Sequence, residues 1–225
     1  MKVGSYWNYE GYDLDKTGKR IDSTRYVDSV VVTGTETLYG KSCFKTVQYS
    51  ALFGKALTKD YDYYQAYTTT QHFVNSGFLD IKEMLPIDLG ISLPTDQWFT
   101  MADTKSASWN MLQEPIKVLN KKVNIGGVNF DISSCTITPN ILRGATSTFT
   151  LNSKSYNAIT YRVNIKVSFS VSSLPVPIDF NLYMENTYAD GIGLVKMNMP
   201  SQSINLILLN YPVLGFEKTL TSYKR

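Results

Sequence analysis

From Ile159 to Val171 apolar and polar residues alternate without interruption. Ile159, Tyr161, Val163, Ile165, Val167, Phe169 and Val171 hold one parity, and Thr160, Arg162, Asn164, Lys166, Ser168 and Ser170 the other. A period of two puts the two sets on opposite faces of an extended chain, which no helix can do. Ser155 to Ser172 therefore reads as one long antiparallel strand with one face on a core and one in water.

Its partner follows directly. Leu174-Pro175-Val176-Pro177 breaks the ladder, after which Ile178, Phe180, Leu182 and Met184 alternate with Asp179, Asn181, Tyr183 and Glu185 as the return arm of a hairpin. Gly191 to Met197 predicts a further strand entered through glycines, and Ile204 to Leu209 an apolar run of strand length. Near the N-terminus, Tyr6 to Tyr12, Arg25 to Thr33 and Lys41 to Tyr49 predict three strands. Asp15-Lys16-Thr17-Gly18 and Tyr39-Gly40-Lys41 supply turn chemistry between them. Val123 to Ile132 predicts a tight hairpin about Gly126-Gly127, since glycine adopts the positive φ such turns require. Helix is predicted only at Phe78 to Leu85, stopped by Pro86, and at Ser106 to Gln113, stopped before Pro115.

The expected architecture is mainly β: a strongly curved antiparallel sheet or half-barrel carrying one or two short helices, with a β-sandwich as the alternative. A chain of 225 residues can form this as a single β domain. Val3-Gly4-x-x-Trp7 is faintly echoed by Leu93-Pro94-x-x-x-Trp98, which leaves open a tandem of β units over 1–90 and 91–225.

Charge narrows the function. Twenty-two basic against nineteen acidic residues give +3, and basic residues adjoin only in the pairs Lys19-Arg20, Lys121-Lys122 and Lys224-Arg225. A nucleic-acid footprint needs such residues clustered, so no nucleic-acid partner is expected. No apolar stretch reaches the roughly 18 residues of a membrane-spanning helix. Lys2 followed by Val3 to Trp7 lacks the apolar stretch of a leader. We expect a removed leader ahead of this start, where any lipid-bearing cysteine would also lie.

Catalytic and metal chemistry find little support. His72 is the one histidine, and no Gly-x-Ser-x-Gly elbow accompanies it, so it reads as an ordinary strand or loop residue. One histidine with Cys43 and Cys135 does not make a zinc set, and the two cysteines fit either a long-range disulfide or two buried thiols. Asp13-Leu14-Asp15-Lys16-Thr17-Gly18 resembles the first half of a calcium loop, but Thr24 stands where a bidentate Glu is needed. Gly126-Gly127 lacks the Lys-Ser/Thr of a phosphate-binding loop. Asp60, Asp62, Glu83, Asp131, Asp179 and Glu185 supply carboxylates for a hydrolase, with nothing to select a pair. No catalytic residue, metal or cofactor is expected.

Two terminal motifs carry a resemblance. Val3-Gly4-Ser5-Tyr6-Trp7-Asn8-Tyr9 and Tyr188-Ala189-Asp190-Gly191-Ile192-Gly193-Leu194-Val195-Lys196 resemble the opening and closing motifs of a broad group of secreted proteins and lipoproteins of Gram-negative bacteria. Val32 to Glu36 through Gly40-Lys41 is similar to the group's second strand and turn, so the likeness covers about a third of the chain. It implies export to the periplasm, the outer membrane or the cell exterior, attachment through an N-terminal lipid, and a curved sheet like that of the LolA and LolB carriers. It implies no catalytic residues.

The leading expectation is thus a non-enzymatic envelope protein that holds a lipid or other apolar small molecule against a concave sheet. Ile159, Tyr161, Val163, Ile165, Val167 and Phe169 would line the wall, and Phe78 to Leu85, led by Phe78 and Leu79, would form a lid. If the fold is packed shut, the same residues are core. The alternative is a surface module that recognises glycan or an envelope protein through Tyr61, Tyr63, Tyr64, Tyr67 and Trp98, with Trp109 as a further ring. Core packing and cross-strand pairing account for those aromatics equally well.

Overall fold

The computed structural model describes residues 1–75, 96–112, 114–125, 128–172, 176–205 and 210–225. The first five strands run in sequence order: β1 (Tyr6–Leu14), β2 (Tyr26–Leu38), β3 (Lys41–Leu52), β4 (Thr58–Tyr67) and β5 (Gln71–Asn75). β6 (Trp98–Asp103), β7 (Ser108–Asn110) and β8 (Ile116–Ile125) lead into the two longest strands, β9 (Val128–Leu151) and β10 (Lys154–Val171). The chain ends through β11 (Ile178–Ala189), β12 (Gly193–Met199), the small hairpin of β13 (Gln202–Asn205) and β14 (Asn210–Val213), and β15 (Gly215–Lys224).

Among the described residues, thirteen strands form one antiparallel sheet in the order β6-β5-β4-β3-β2-β1-β15-β12-β11-β10-β9-β7, with β8 also paired to β9. Strands from both sides of residue 91 thus share one sheet. Neighbouring strands twist by about 20–25°, and an open sheet of this width must curl. Its inner face closes over a single core, in which Val30, Val32 and Phe99 from one half meet Ile137, Ile165 and Leu182 from the other.

The alternating segment is β10. Phe169 lies opposite Ile178, Val167 opposite Phe180, Ile165 opposite Leu182 and Val163 opposite Met184, so the two apolar rows stack on the inner face. Outward, Arg162 binds Glu185 at 2.7 Å and Thr160 bonds Thr187 at 2.9 Å. Tyr39 and Gly40 both take positive φ in the turn between β2 and β3, as expected there.

The two ends of the sheet approach without joining in a ladder. The Trp109 indole on β7 donates to the Thr100 carbonyl of β6 at 2.7 Å, and an Arg143 guanidinium nitrogen of β9 donates to the Thr104 carbonyl at 2.6 Å. The sheet is a rolled half-barrel whose seam is latched by side chains.

Three sequence expectations change. The helix predicted over Ser106 to Gln113 is absent. Ser108–Asn110 pairs with Leu142, Ile141 and Asn140 of β9 instead, held by backbone bonds from Arg143 to Ala107 and from Met111 to Pro139, while Gln113 lies outside the described residues. Three-residue edge pairing, together with the part-buried bond made by Trp109, outweighs a weak helical pattern that stops before Pro115. The strand predicted over Ile204 to Leu209 begins earlier, at Gln202, and residues 206–209 lie outside the described set. Phe78 to Leu85, with the lid residues Phe78 and Leu79, lies outside it as well. Among the described residues the helical element is a single 3-10 turn, Asp22–Thr24.

Cys43 and Cys135 are free, buried thiols on different strands. Burial pushes the Cys135 thiol up to about 11, so it packs as a small apolar group. In the Asp13 to Gly18 turn, the Asp15 carboxylate accepts from the Thr17 and Lys19 amides, which accounts for the calcium-like spacing as a side-chain-capped turn.

Candidate functional site

Near one end of the rolled sheet the inner face is polar. Gln65 of β4 donates through Nε2 to Thr46 Oγ1 at 2.9 Å, and its Oε1 accepts from the Tyr67 hydroxyl at 2.6 Å. His72 of β5 lies with Nε2 3.3 Å from that Oε1 and Nδ1 3.3 Å from the Tyr188 hydroxyl. Because Gln65 Oε1 can only accept, the His72 proton sits on Nε2 and Nδ1 accepts from Tyr188. Tyr67 stacks on the imidazole at 4.4 Å between ring centroids, and Tyr188 meets its edge at 5.4 Å. Burial lowers the His72 pKa to about 3, so the ring is neutral. Burial also raises the Tyr9, Tyr67 and Tyr188 phenols above their ordinary value, keeping them protonated.

Bulges aim these side chains. The ladders shift register at Asn8/Tyr9, His72/Phe73, Ile159/Tyr161 and Thr187/Tyr188, all at this end of the sheet. A bulge adds local twist and redirects the neighbouring side chain, which brings rings from β1, β5, β10 and β11 into one layer.

Beneath that layer is a partly open cavity of about 40 Å³, with Trp7, Tyr9, Tyr63, Val74, Met101 and Met197 among its walls. Space of this size suits a few waters or a small molecule. Outside the layer, an open groove runs past Thr68, Thr70, Ile159, Asp190 and Arg225, with Tyr67, His72 and Tyr188 forming the partition. The cavity also meets an ion pair buried in the core, Lys218 Nζ to Asp28 Oδ2 at 2.9 Å. Asn186 of β11, opposite Tyr161 and Met197, reaches the cavity and is 1% exposed. Its Oδ1 has no hydrogen-bond partner among the described residues.

The expected wall residues belong elsewhere. Tyr161, Val163, Ile165, Val167 and Phe169 are each at most 1% exposed and pack against other side chains of the core; Ile159 is half-buried beside the outer groove. The aromatic set divides between faces. Tyr63 and Tyr67 line the cavity and Tyr61 packs beside Tyr63 with ring centroids 5.9 Å apart, whereas Tyr64 and Trp98 sit on the outer face around Cys43, Ala66 and Phe73. Trp109 is the seam latch. Of the carboxylates, Asp62 pairs with Lys59, Asp131 with Lys122 and Glu185 with Arg162 on the outer surface. Asp60 accepts from Ser50, Asp179 is exposed, and Glu83 lies outside the described residues.

The terminal motifs meet at the cavity wall. The Trp7 indole donates to the Ile192 carbonyl at 2.9 Å, and the Tyr9 hydroxyl to the Leu194 carbonyl at 2.9 Å. Gly191 and Gly193 flank this segment at φ of 71° and 105°, the left-handed region that glycine enters without steric cost. Sequence reasoning placed these residues in motifs but assigned them no site. It passed over Asn186, Gln48, Gln65 and the Asp28–Lys218 pair.

No protein-family model matches the chain, and no curated protein matches it. Solved structures do. A "putative lipoprotein" of Parabacteroides distasonis is similar over 99% of this chain and 96% of its own, at 16% identity and a TM-score of 0.53. A "putative exported protein with YmcC-like fold" of Bacteroides fragilis is similar over 100% of this chain and 97% of its own, at 11% identity and a TM-score of 0.52. The chain shares their fold.

Proposed function

We propose that the protein is a non-enzymatic, exported component of a Gram-negative cell envelope that holds a small ligand inside its rolled sheet. The observation that carries this reading is the cavity beneath the Tyr67–His72–Tyr188 layer, which is walled by both terminal motifs. A concave cavity with a few convergent polar groups among apolar walls is the usual form of a binding site. Export and envelope attachment rest on the fold shared with proteins described as lipoprotein and exported, and on the motif resemblance. The expectation of a ligand held inside the sheet is kept, but the ligand moves from the wall of β10 to the cavity. His72, neutral and bound at both nitrogens, is a structural partition in this reading and not a general base.

The test is native mass spectrometry of protein recovered from the envelope of a Gram-negative host without delipidation, followed by denaturing extraction. A stoichiometric compound released only on unfolding supports the reading. A clean mass, with no compound in the extract, counts against it.

A further inference from the structure

The described side chains that line the cavity leave it without net charge. Their one cation, Lys218, is held by Asp28 at 2.9 Å, His72 is uncharged, and the phenols of Tyr9, Tyr67 and Tyr188 stay protonated. An ion brought into such a space gives up its hydration with no opposite charge left to receive it.

The hydrogen-bond capacity of the walls is largely spent. Tyr9 donates to Leu194, Trp7 to Ile192, Tyr67 and His72 to Gln65, and Gln48 Oε1 accepts from Tyr61 at 2.8 Å. Among the described residues the exception is Asn186 Oδ1. A buried amide oxygen left unmet carries its full desolvation cost, and an N–H or O–H from an occupant removes it.

Resting on the reading that the rolled sheet holds a ligand, we propose that this cavity binds a small uncharged molecule bearing an N–H or O–H group, which Asn186 Oδ1 accepts. The flat rings of Trp7, Tyr9 and Tyr63 give the rest of the molecule apolar contact. The volume, about 40 Å³, points to a small occupant.

The probe is acetamide, followed by amide and indole NMR on the full chain, with acetate and methylammonium as charged analogues of similar size. The chain has three tryptophans, and only Trp7 among them lines the cavity, so the Trp98 and Trp109 indoles serve as internal references. A saturable shift of the Trp7 indole N–H and the Asn186 side-chain amide is expected with acetamide and not with either ion. Asn186→Leu should weaken the acetamide response at Trp7 by at least about tenfold, as loss of one buried hydrogen bond requires. The wild-type preference for the neutral probe is decisive by itself if that variant does not fold. No saturable response to acetamide, meaning that the cavity holds water only, overturns the proposal, and so does an equal response to acetate or methylammonium. If acetamide fails while envelope-derived protein still releases a stoichiometric compound, this site is wrong and the broader reading stands.

Discussion

The indole of Trp7 donates to the main-chain carbonyl of Ile192 at 2.9 Å, reaching from β1 across β15 to the entrance of β12. One bond therefore ties two segments 185 residues apart and fixes one wall of the cavity. Trp7 is buried, so replacing it by Phe removes the donor, strands the carbonyl and opens space. We expect Trp7→Phe to lower unfolding stability by about 1–3 kcal/mol. Urea denaturation checks this, and a shift below about 0.5 kcal/mol would mean that water replaces the bond freely.

The Asp28–Lys218 pair makes a sharper demand. The side chains are 4% and 11% exposed, so either charge left alone is desolvated without compensation. Lys218→Met should cost about 3–5 kcal/mol, whereas Lys218→Met combined with Asp28→Leu should recover most of the loss. A double-mutant cycle by chemical denaturation measures the coupling. Equal stability of the single and double variants would show the pair to be solvated.

Much of this fold was legible because the signal was local. The alternation of β10 and β11 predicted both strands and their apolar faces, and the register confirms it by pairing Phe169 with Ile178 and Ile165 with Leu182. The site was less legible, because it depends on strands far apart in sequence, as with Gln65, His72 and Tyr188. One signal was present. Carrying the β11 alternation two residues beyond Met184 places Asn186 on the inner face, where a polar residue is informative. Trp109 gave no such signal, since its partner Thr100 is an edge carbonyl that only the curl of the whole sheet brings near.

His72 gives the protein a pH dependence of definite sign. An unfolded imidazole takes up a proton near pH 6.5, while the folded protein resists protonation at His72 down to about 3 because the ring is buried. Between those values the unfolded state binds more protons, so stability is full above pH 6.5 and falls as pH falls. The loss is about 1.4 kcal/mol per pH unit. The carboxylates of Glu10 and Asp103, held low by the Arg25 bond and by backbone and side-chain donors, contribute with the same sign only at lower pH. The N-terminal amine, lowered by burial and by Arg225, acts with the same sign, so the slope between pH 6.5 and about pH 5 is assigned to His72 by comparison with a variant. His72→Gln should flatten that slope, and an unchanged slope would place the titration elsewhere.

Gly215 tests a backbone contact. A Cβ there would stand 2.2 Å from the Met199 carbonyl oxygen and 2.6 Å from the Ser201 amide, both main-chain atoms that cannot rotate away. Its own amide donates to Ser201 Oγ at 2.9 Å, and that hydroxyl donates to the Asp15 carbonyl at 2.6 Å. Gly215→Ala should therefore separate β15 from the β12 exit at a cost of about 3 kcal/mol. Thermal unfolding reads the effect, and a wild-type midpoint would mean that the loop can yield.

The seam latch makes a prediction about motion more than about total stability. Among the described residues β6 and β7 end the sheet path, and Trp109 joins them through the 2.7 Å bond to Thr100 while its ring meets the edge of Tyr161 at 5.9 Å. Trp109→Phe keeps most of the ring contact and removes the donor. Edge strands open locally at lower free energy than central ones, so the loss should appear there first. We expect amide exchange in β6 and β7 to accelerate by about tenfold, with little change in the paired centre of β10 and β11. Hydrogen exchange resolved by residue decides the matter. Uniform acceleration across all strands would make Trp109 a global core residue, whereas unchanged exchange at β6 would show that Arg143 and the Thr104 carbonyl hold the seam alone.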